Sequence, residues 1–407
     1  MTDKVSIDSI ELGEVIRVSS KNEFIFLQTV PQRKLILSLS DNQGRIVRSV
    51  HRWLRYLCSA IGHSITASTV HQYANTIKYF CEWIEICQPY PSLSVDEVIK
   101  IVDRQDIVSW HDYQKSKSSC SNATLHSREA TVKEFLTWLT TNEGGNVRLM
   151  ENSPWGRNNE LNYIAKKSNK KSPKLITKEH VIKILLSMHN ECERCMFHVQ
   201  YDTGMRIAEL INLKRSELPP ESIYGDQNYE FIPLYVRGAK GRATGVKERV
   251  TLISRACLNR IRKYHNSLDY KFASGWRIND PDKPVFLSIN GKRWSSRNAS
   301  KQFKSAVIRS GVGDNFSTHW MRHGTAFSVL KSDIGKDLED KMLTVQKMLG
   351  HSSINTTEIY MQMSPSLLTK LGGENASQNR LHEAEAIRKA TYLLPAKHTE
   401  KRGHIID

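Results

Sequence analysis

The chain has 407 residues, too many for one ordinary hydrophobic core, so two or three domains are expected. A hydrophobic fraction of 39% with dispersed Trp, Tyr and Phe excludes a disordered chain, and no apolar run approaches the roughly 20 residues that cross a bilayer. Lysine and arginine outnumber aspartate and glutamate by 59 to 42, a net charge of +17 that argues for a polyanionic partner, because cationic side chains displace condensed counterions from phosphate.

Residues 1–13 are polar and acidic and lack an apolar signal core, which points to an intracellular protein. Residues 1–49 form an N-terminal extension or accessory module, with strand-like runs at 24–30 and 35–39 and a turn signal at 41–44. From 50 to about 150 the pattern is helical. Trp53, Leu54, Leu57 and Cys58 share one face, and Val70, Tyr73, Ile77 and Phe80 to Trp83 share another. Helical stretches at 106–115 and 123–141, the latter with Val132, Phe135, Leu136 and Leu139 inward, complete a bundle of roughly four helices. Residues 151–176 read as a basic linker carrying Pro154, Pro173 and a run of lysines, either a solvated connector or a strap across DNA phosphates.

A second domain, 177–371, opens at Thr177, an N-cap with Glu179 in the first turn. One helix is expected across 180–200. It holds His189, Cys192, Cys195 and His198 at every third residue, a spacing that suggests zinc at first sight. Steps of about 300° fan the four over half the helix circumference, so they are assigned to packing and no metal site is expected. Seven scattered cysteines also argue against a disulfide framework. Asp202-Thr203-Gly204 is a turn that opens a further helix, 205–213. Strands follow at 231–236 and 246–253 around a glycine-rich turn, then helices to about 371. Gly372-Gly373 breaks the chain before a last helical stretch, 378–394.

Four local signals lie in this second domain. Thr203-Gly204-Met205-Arg206-Ile207-Ala208-Glu209-Leu210 puts Arg206 at a helix N-terminus, with Glu209 one turn later. Arg237-Gly238-Ala239-Lys240-Gly241 places a lysine in a hairpin turn. His319-Trp320-Met321-Arg322-His323 sets His319 and Arg322 on adjacent turns. Leu349-Gly350-His351 precedes Tyr360 by nine residues from the histidine. Each alone is common on protein surfaces.

Together and in this order they resemble the catalytic domain of the tyrosine recombinase (phage integrase) family over about 174–371. The helical domain before it fits that family's core-DNA-binding domain. The resemblance implies a mainly α fold with a small β-sheet (α+β), in which a helical core-DNA-binding domain precedes the catalytic domain. It also implies a site-specific recombinase whose catalytic residues are Arg206, Lys240, His319, Arg322, His351 and Tyr360. Arg206 and Arg322 would hold the scissile phosphate, since a guanidinium donates in pairs and keeps its charge. Tyr360 would attack phosphorus, His319 would take or share its proton, His351 would bond the phosphate, and Lys240 would protonate the leaving 5′-oxygen. The turn carrying Lys240 is longer than the family's usual form, and Lys247, in Lys247-Glu248-Arg249, is a rival general acid. Lys240 is preferred because it lies between glycines.

No cofactor is implied, and no phosphate loop for ATP occurs. The implied partners are double-stranded DNA, a homotetramer on paired sites and accessory DNA-bending proteins, in the bacterial cytoplasm or nucleoid and without a membrane. A type IB topoisomerase acting as a monomer, or a DNA-binding homologue without catalysis, are the rival readings. The 372–407 tail carries an apolar stripe, Leu381, Ala384, Ile387 and Leu394, which must dock either on its own domain or on a neighbouring protomer. The second is the functional reading.

Overall fold

The computed structural model describes residues 12–17, 24–29, 34–59, 65, 67–86, 90–166, 175–224, 229–238, 248–313, 315–332, 337–350 and 379–393. The chain divides into two compact units, one of residues 1–170 with 242–244, the other of 171–241 with 245–407.

The first unit opens on a three-stranded antiparallel sheet, β1 (Leu12–Arg17), β2 (Phe24–Thr29) and β3 (Lys34–Leu39), in the order β1-β2-β3. The β2–β3 register pairs Phe24 with Leu39 and Thr29 with Lys34. The turn expected at 41–44 forms around Asp41, whose carboxylate accepts from the main-chain N–H groups of Gln43 and Arg45 at 3.0 and 2.8 Å. Leu39 and Val47, on either side of it, lie in the same core as Trp53 and Leu54. The end of the N-terminal segment is thus continuous with the helices that follow.

Those helices are α1 (Arg48–Ser59), α2 (Ala67–Ile86), α3 (Val95–Ile101), α4 (Arg104–Ser118) and α5 (Asn122–Trp138). Their apolar faces meet around Trp53, Phe80, Trp110 and Phe135, with Trp53 stacked on Tyr73 at 5.7 Å between ring centroids. The linker expectation for 151–176 needs correction at its start. Trp155 is buried, and the buried carboxylate of Glu129 on α5 accepts from Trp155 Nε1 at 2.9 Å and from the N–H groups of Ile164 and Ala165, both at 2.8 Å. Residues 155–165 are strapped to the helices because a buried carboxylate needs donors. The lysines at 167, 170, 171 and 174 lie outside the described residues.

In the second unit the helix expected across 180–200 is two: α6 (Lys178–Leu186) and α7 (Glu191–Thr203). Thr177 caps α6 through its side chain, and Asn190 restarts the chain by accepting from Glu193 N–H at 2.9 Å. Every residue of α7 after Glu191 is buried, because α6, α10 (Arg255–His265), α13 (Thr318–Lys331) and the hairpin strand at Arg249–Ser254 all pack on it. The helix expected at 205–213 shrinks to α8 (Ile207–Leu210), and α9 (Glu221–Tyr224) precedes the hairpin. Strands β4 (Phe231–Val236) and β5 (Arg249–Ser254) pair antiparallel, with Phe231 opposite Ser254 and Val236 opposite Arg249. Helices α11 (Leu268–Lys271), α12 (Ser296–Ser310) and α14 (Leu338–Leu349) fill out the core.

The last helix, α15 (Arg380–Thr391), lies on its own unit, against α6, α7 and α10. Leu381, Ala384 and Ile387 are buried there, so the apolar stripe expected to reach a neighbouring protomer is covered by its own chain. Leu394 and Gly372-Gly373 lie outside the described residues.

Candidate active site

The site begins where α7 ends. Gly204 caps the helix with φ +67°, a left-handed conformation that suits glycine, and a Cβ there would also stand 2.5 Å from Leu349 Cδ2. Two residues on, Arg206 opens α8. Its N–H donates to Glu209 Oε2 at 2.7 Å and its Nη1 to Glu209 Oε1 at 2.9 Å. Arg249, the first residue of β5, grips the same carboxylate in bidentate fashion, at 2.7 and 2.9 Å, while its Nε donates to Met348 O at 2.9 Å. Gly350, which caps α14 at φ +61°, leaves room for this arginine: a Cβ would sit 2.6 Å from Arg249 Cδ. Burial of Glu209 pushes its pKa up, but the hydrogen bonds and charge of Arg249, with those of Arg206, prevail and hold it below the usual carboxylate range.

Helix α13 supplies the other half. Arg322 is only 2% exposed, and its guanidinium donates from Nη1 to Gly204 O at 2.5 Å and from Nη2 to Leu349 O. It ties together the C-terminal ends of α7 and α14, whose last carbonyls lack helical partners. Arg206 is the accessible member of the pair, its side chain 37% exposed. His319, one turn before Arg322, is exposed at the start of α13, and its ring meets that of His323 edge-on at 4.5 Å. Partial desolvation of its ring, and then the charges of Arg322 and Arg206, lower the pKa of His319. His323 is driven down further, to about 4, by burial and then by His319 and Arg322. Both shifts favour the neutral imidazole.

Of the sequence-predicted residues, the structure brings Arg206, His319 and Arg322 together. Lys240, its rival Lys247, His351 and Tyr360 lie outside the described residues. Sequence reading left Arg249 unassigned, although it ends the Lys247-Glu248-Arg249 run; only the hairpin register and the fold of α14 reveal its partner. The His/Cys group is dispersed among packing contacts. His189 stands in the turn between α6 and α7, Cys192 Sγ donates to Leu287 O at 3.0 Å, and His198 Nδ1 lies 3.3 Å from Arg260 Nη1. Among the described residues, no helix is long and apolar enough to cross a membrane.

Comparison with known proteins follows the same lines. The phage integrase family profile matches residues 174–366. Tyrosine recombinase XerC of Chlamydia pneumoniae is 30% identical over 179 residues, 44% of this chain and about half (49%) of that relative's length. The XerC of Mannheimia succiniciproducens is 25% identical, covering 66% of this chain and 84% of the relative, and that of Chlamydia trachomatis serovar L2 is 22% identical over 82% and 99%. Among solved structures, a lambda integrase (75-356) dimer bound to a COC' core site superposes with a TM-score of 0.54 at 16% identity, over 77% of this chain and 94% of that one. The XerH site-specific recombinase bound to its difH substrate gives 0.52 at 17% identity, over 82% and 86%. These structural likenesses concern the fold, which is mostly helical with a small sheet. On the matched profile, the recombinase relatives and the ordered Arg-Lys-His-Arg-His-Tyr signals, residues 174–366 are similar to the tyrosine recombinase (phage integrase) family.

Proposed function

We propose that this protein cuts and rejoins DNA at specific sites through a 3′-phosphotyrosine on Tyr360. The observation that carries the reading is the grouping of an exposed guanidinium (Arg206), a buried one (Arg322) and a neutral imidazole (His319) at the ends of α7 and α14. Two fixed cations answer the charge of a phosphodiester and of its pentacoordinate transition state, as preorganised donors do at an oxyanion. Tyr360 Oη attacks phosphorus and gives its proton to His319, and the P–O5′ bond breaks. Lys240 protonates the departing 5′-oxygen, and His351 donates to a non-bridging oxygen. Glu209 holds Arg206 and Arg249 in place. The phosphotyrosine retains the energy of the broken bond, so the 5′-hydroxyl of a new strand reverses the reaction without ATP, and the chemistry assigned to these side chains calls for no metal. Double-stranded DNA is the substrate. Strand exchange between two sites suits four protomers, one per cleaved strand, and accessory DNA-bending proteins fit such an assembly.

A pool of nicked duplexes with randomised sequence tests this. Strands captured covalently on denatured protein report both the adduct and the preferred site. Tyr360→Phe keeps the ring and should bind DNA with nearly unchanged affinity while capturing none. Capture by Tyr360→Phe at the wild-type rate would move the nucleophile to another residue.

A further inference from the structure

Helix α15 is tied to its unit by polar bonds as well as by Leu381 and Ile387. Arg380 Nη2 donates to Asp202 O at 2.6 Å, and at the other end Arg260 donates to Thr391 Oγ1 at 2.7 Å and Thr391 O at 3.1 Å. Between these anchors stands Glu383, half-buried. Its Oε1 accepts from the hydroxyl of Tyr201 on α7 at 2.9 Å, and its Oε2 from the hydroxyl of Ser328 on α13 at 2.5 Å. One carboxylate therefore joins α13, which carries His319 and Arg322, to α7, whose C-terminal end leads into Arg206. Tyr201 lies five residues before Arg206, and Ser328 six residues, about 9 Å of helix, after Arg322.

The fit around Tyr201 is closed on three sides. Its carbonyl accepts from Thr325 Oγ1 at 2.6 Å. Its ring passes so close to Gly324 that a Cβ there would stand 2.5 Å from Cε2. Its hydroxyl ends on Glu383. A glycine inside α13 costs helix stability, and here its absent side chain lets α7 approach until the tyrosine reaches α15. The separation of α7 and α13 sets the bond from Arg322 to Gly204 O, and with it the distance between the two arginines.

We propose that Glu383 is a positioning residue for strand cleavage: by accepting from Tyr201 and Ser328 together, it fixes α7 against α13 and so holds Arg206 and Arg322 at the spacing a phosphodiester requires. The inference rests on the reading of those arginines given above. Its chemistry is confined to two hydrogen bonds, so Glu383→Gln, in which one hydroxyl turns to accept from the amide, should keep the tie, and Glu383→Ala should break it.

The test uses full-length protein and two readouts. On strands selected from the nicked-duplex pool, Glu383→Ala should form the covalent adduct roughly 10- to 100-fold more slowly, the scale of a small misplacement of reacting groups. Its Kd for the same duplex should stay within about twofold, since no DNA contact is removed. Glu383→Gln should recover most of the rate. In protein without DNA, the His319 titration, followed by NMR and assigned through His319→Gln, should move up toward the ordinary histidine value in Glu383→Ala as the arginines relax away, and stay put in Glu383→Gln. If Glu383→Ala folds poorly, Tyr201→Phe, which removes one hydroxyl and keeps the ring beside Gly324, should show the same split at smaller amplitude. An unchanged rate and titration in a folded Glu383→Ala overturns the proposal. So does a Glu383→Gln no better than alanine, or a rate that falls only in step with affinity. Failure of the wild type to capture any strand would overturn the recombinase reading instead, and the His319 titration would still decide whether the tie holds the arginines.

Discussion

Two buried arginines in this chain make the same kind of contact and, on the proposed reading, serve different ends. Arg148, in the first unit, is 3% exposed and donates to Ile99 O at 2.5 Å, Val102 O at 2.6 Å and Asn152 O at 2.7 Å. Arg322, in the second, is as deeply buried and donates to the carbonyls of Gly204 and Leu349. Both knit chain ends that lack helical partners. Their surroundings differ. Burial presses the pKa of Arg148 down to about 10, countered only by Asp106 and Asp103. Around Arg322 stand further basic groups, Arg206, His319 and His323, and the two imidazoles are lowered first by burial and then by the charges beside them. Depth of burial does not separate a structural arginine from a working one. On the proposed reading the gathering of like charge does, since a bound phosphate would offset it.

That contrast can be broken in order of expected effect. Arg322→Lys should slow adduct formation by about 100-fold or more, since an ammonium keeps the charge and loses the divergent pair of N–H donors. Single-turnover capture on nicked duplex reads it, and a rate within fivefold of wild type would assign Arg322 to structure alone. Arg148→Met should do the reverse. It strands two buried carbonyls and a third that is partly buried, and should cost about 2–4 kcal/mol of stability in denaturant melts, with adduct formation per folded molecule unchanged. A slowed reaction at full stability would erase the distinction between the two arginines.

A smaller effect concerns acid. His265 is lowered to about 4 by burial, while its Nε2 lies 3.0 Å from Val285 O, and His323 is lowered to a similar value. A histidine depressed in the folded state binds its proton more readily once unfolded. These two groups therefore withhold no stability above the ordinary value of about 6.5 and withdraw it as pH falls from there toward 4. The melting temperature of the second unit should decline across that window, and His265→Gln should flatten the decline. Equal slopes in variant and wild type would remove His265 from the account.

The elements legible in the sequence were those whose signals are local. Thr177 caps α6 with its own side chain, and the inward residues of α5 repeat at helical spacing. Helix α3 carried its signal too, since Ser94 and Glu97 cap each other reciprocally, but a seven-residue helix is easily passed over. The break between α6 and α7 was masked by continuous apolar spacing, although Asn190 was there to cap the restart. β1, which contains Gly13 and breaks the apolar alternation at Val15-Ile16, has meaning only beside β2.

For the site, Arg206, His319 and Arg322 were named by the resemblance of their ordered motifs to the tyrosine recombinase family. What each one touches was decided by tertiary structure. Glu209 meets Arg249 across 40 residues, Arg322 meets Gly204 across 118, and Tyr201 meets Glu383 across 182. The tail shows the same division. Its stripe announced that it must be covered, and the cover turned out to be its own unit, because Asp202, Tyr201, Ser328 and Arg260 offer partners at matching positions. Periodicity reports that a face is buried; only the packed chain supplies what buries it, because the partner of a side chain is set by where distant segments come to rest.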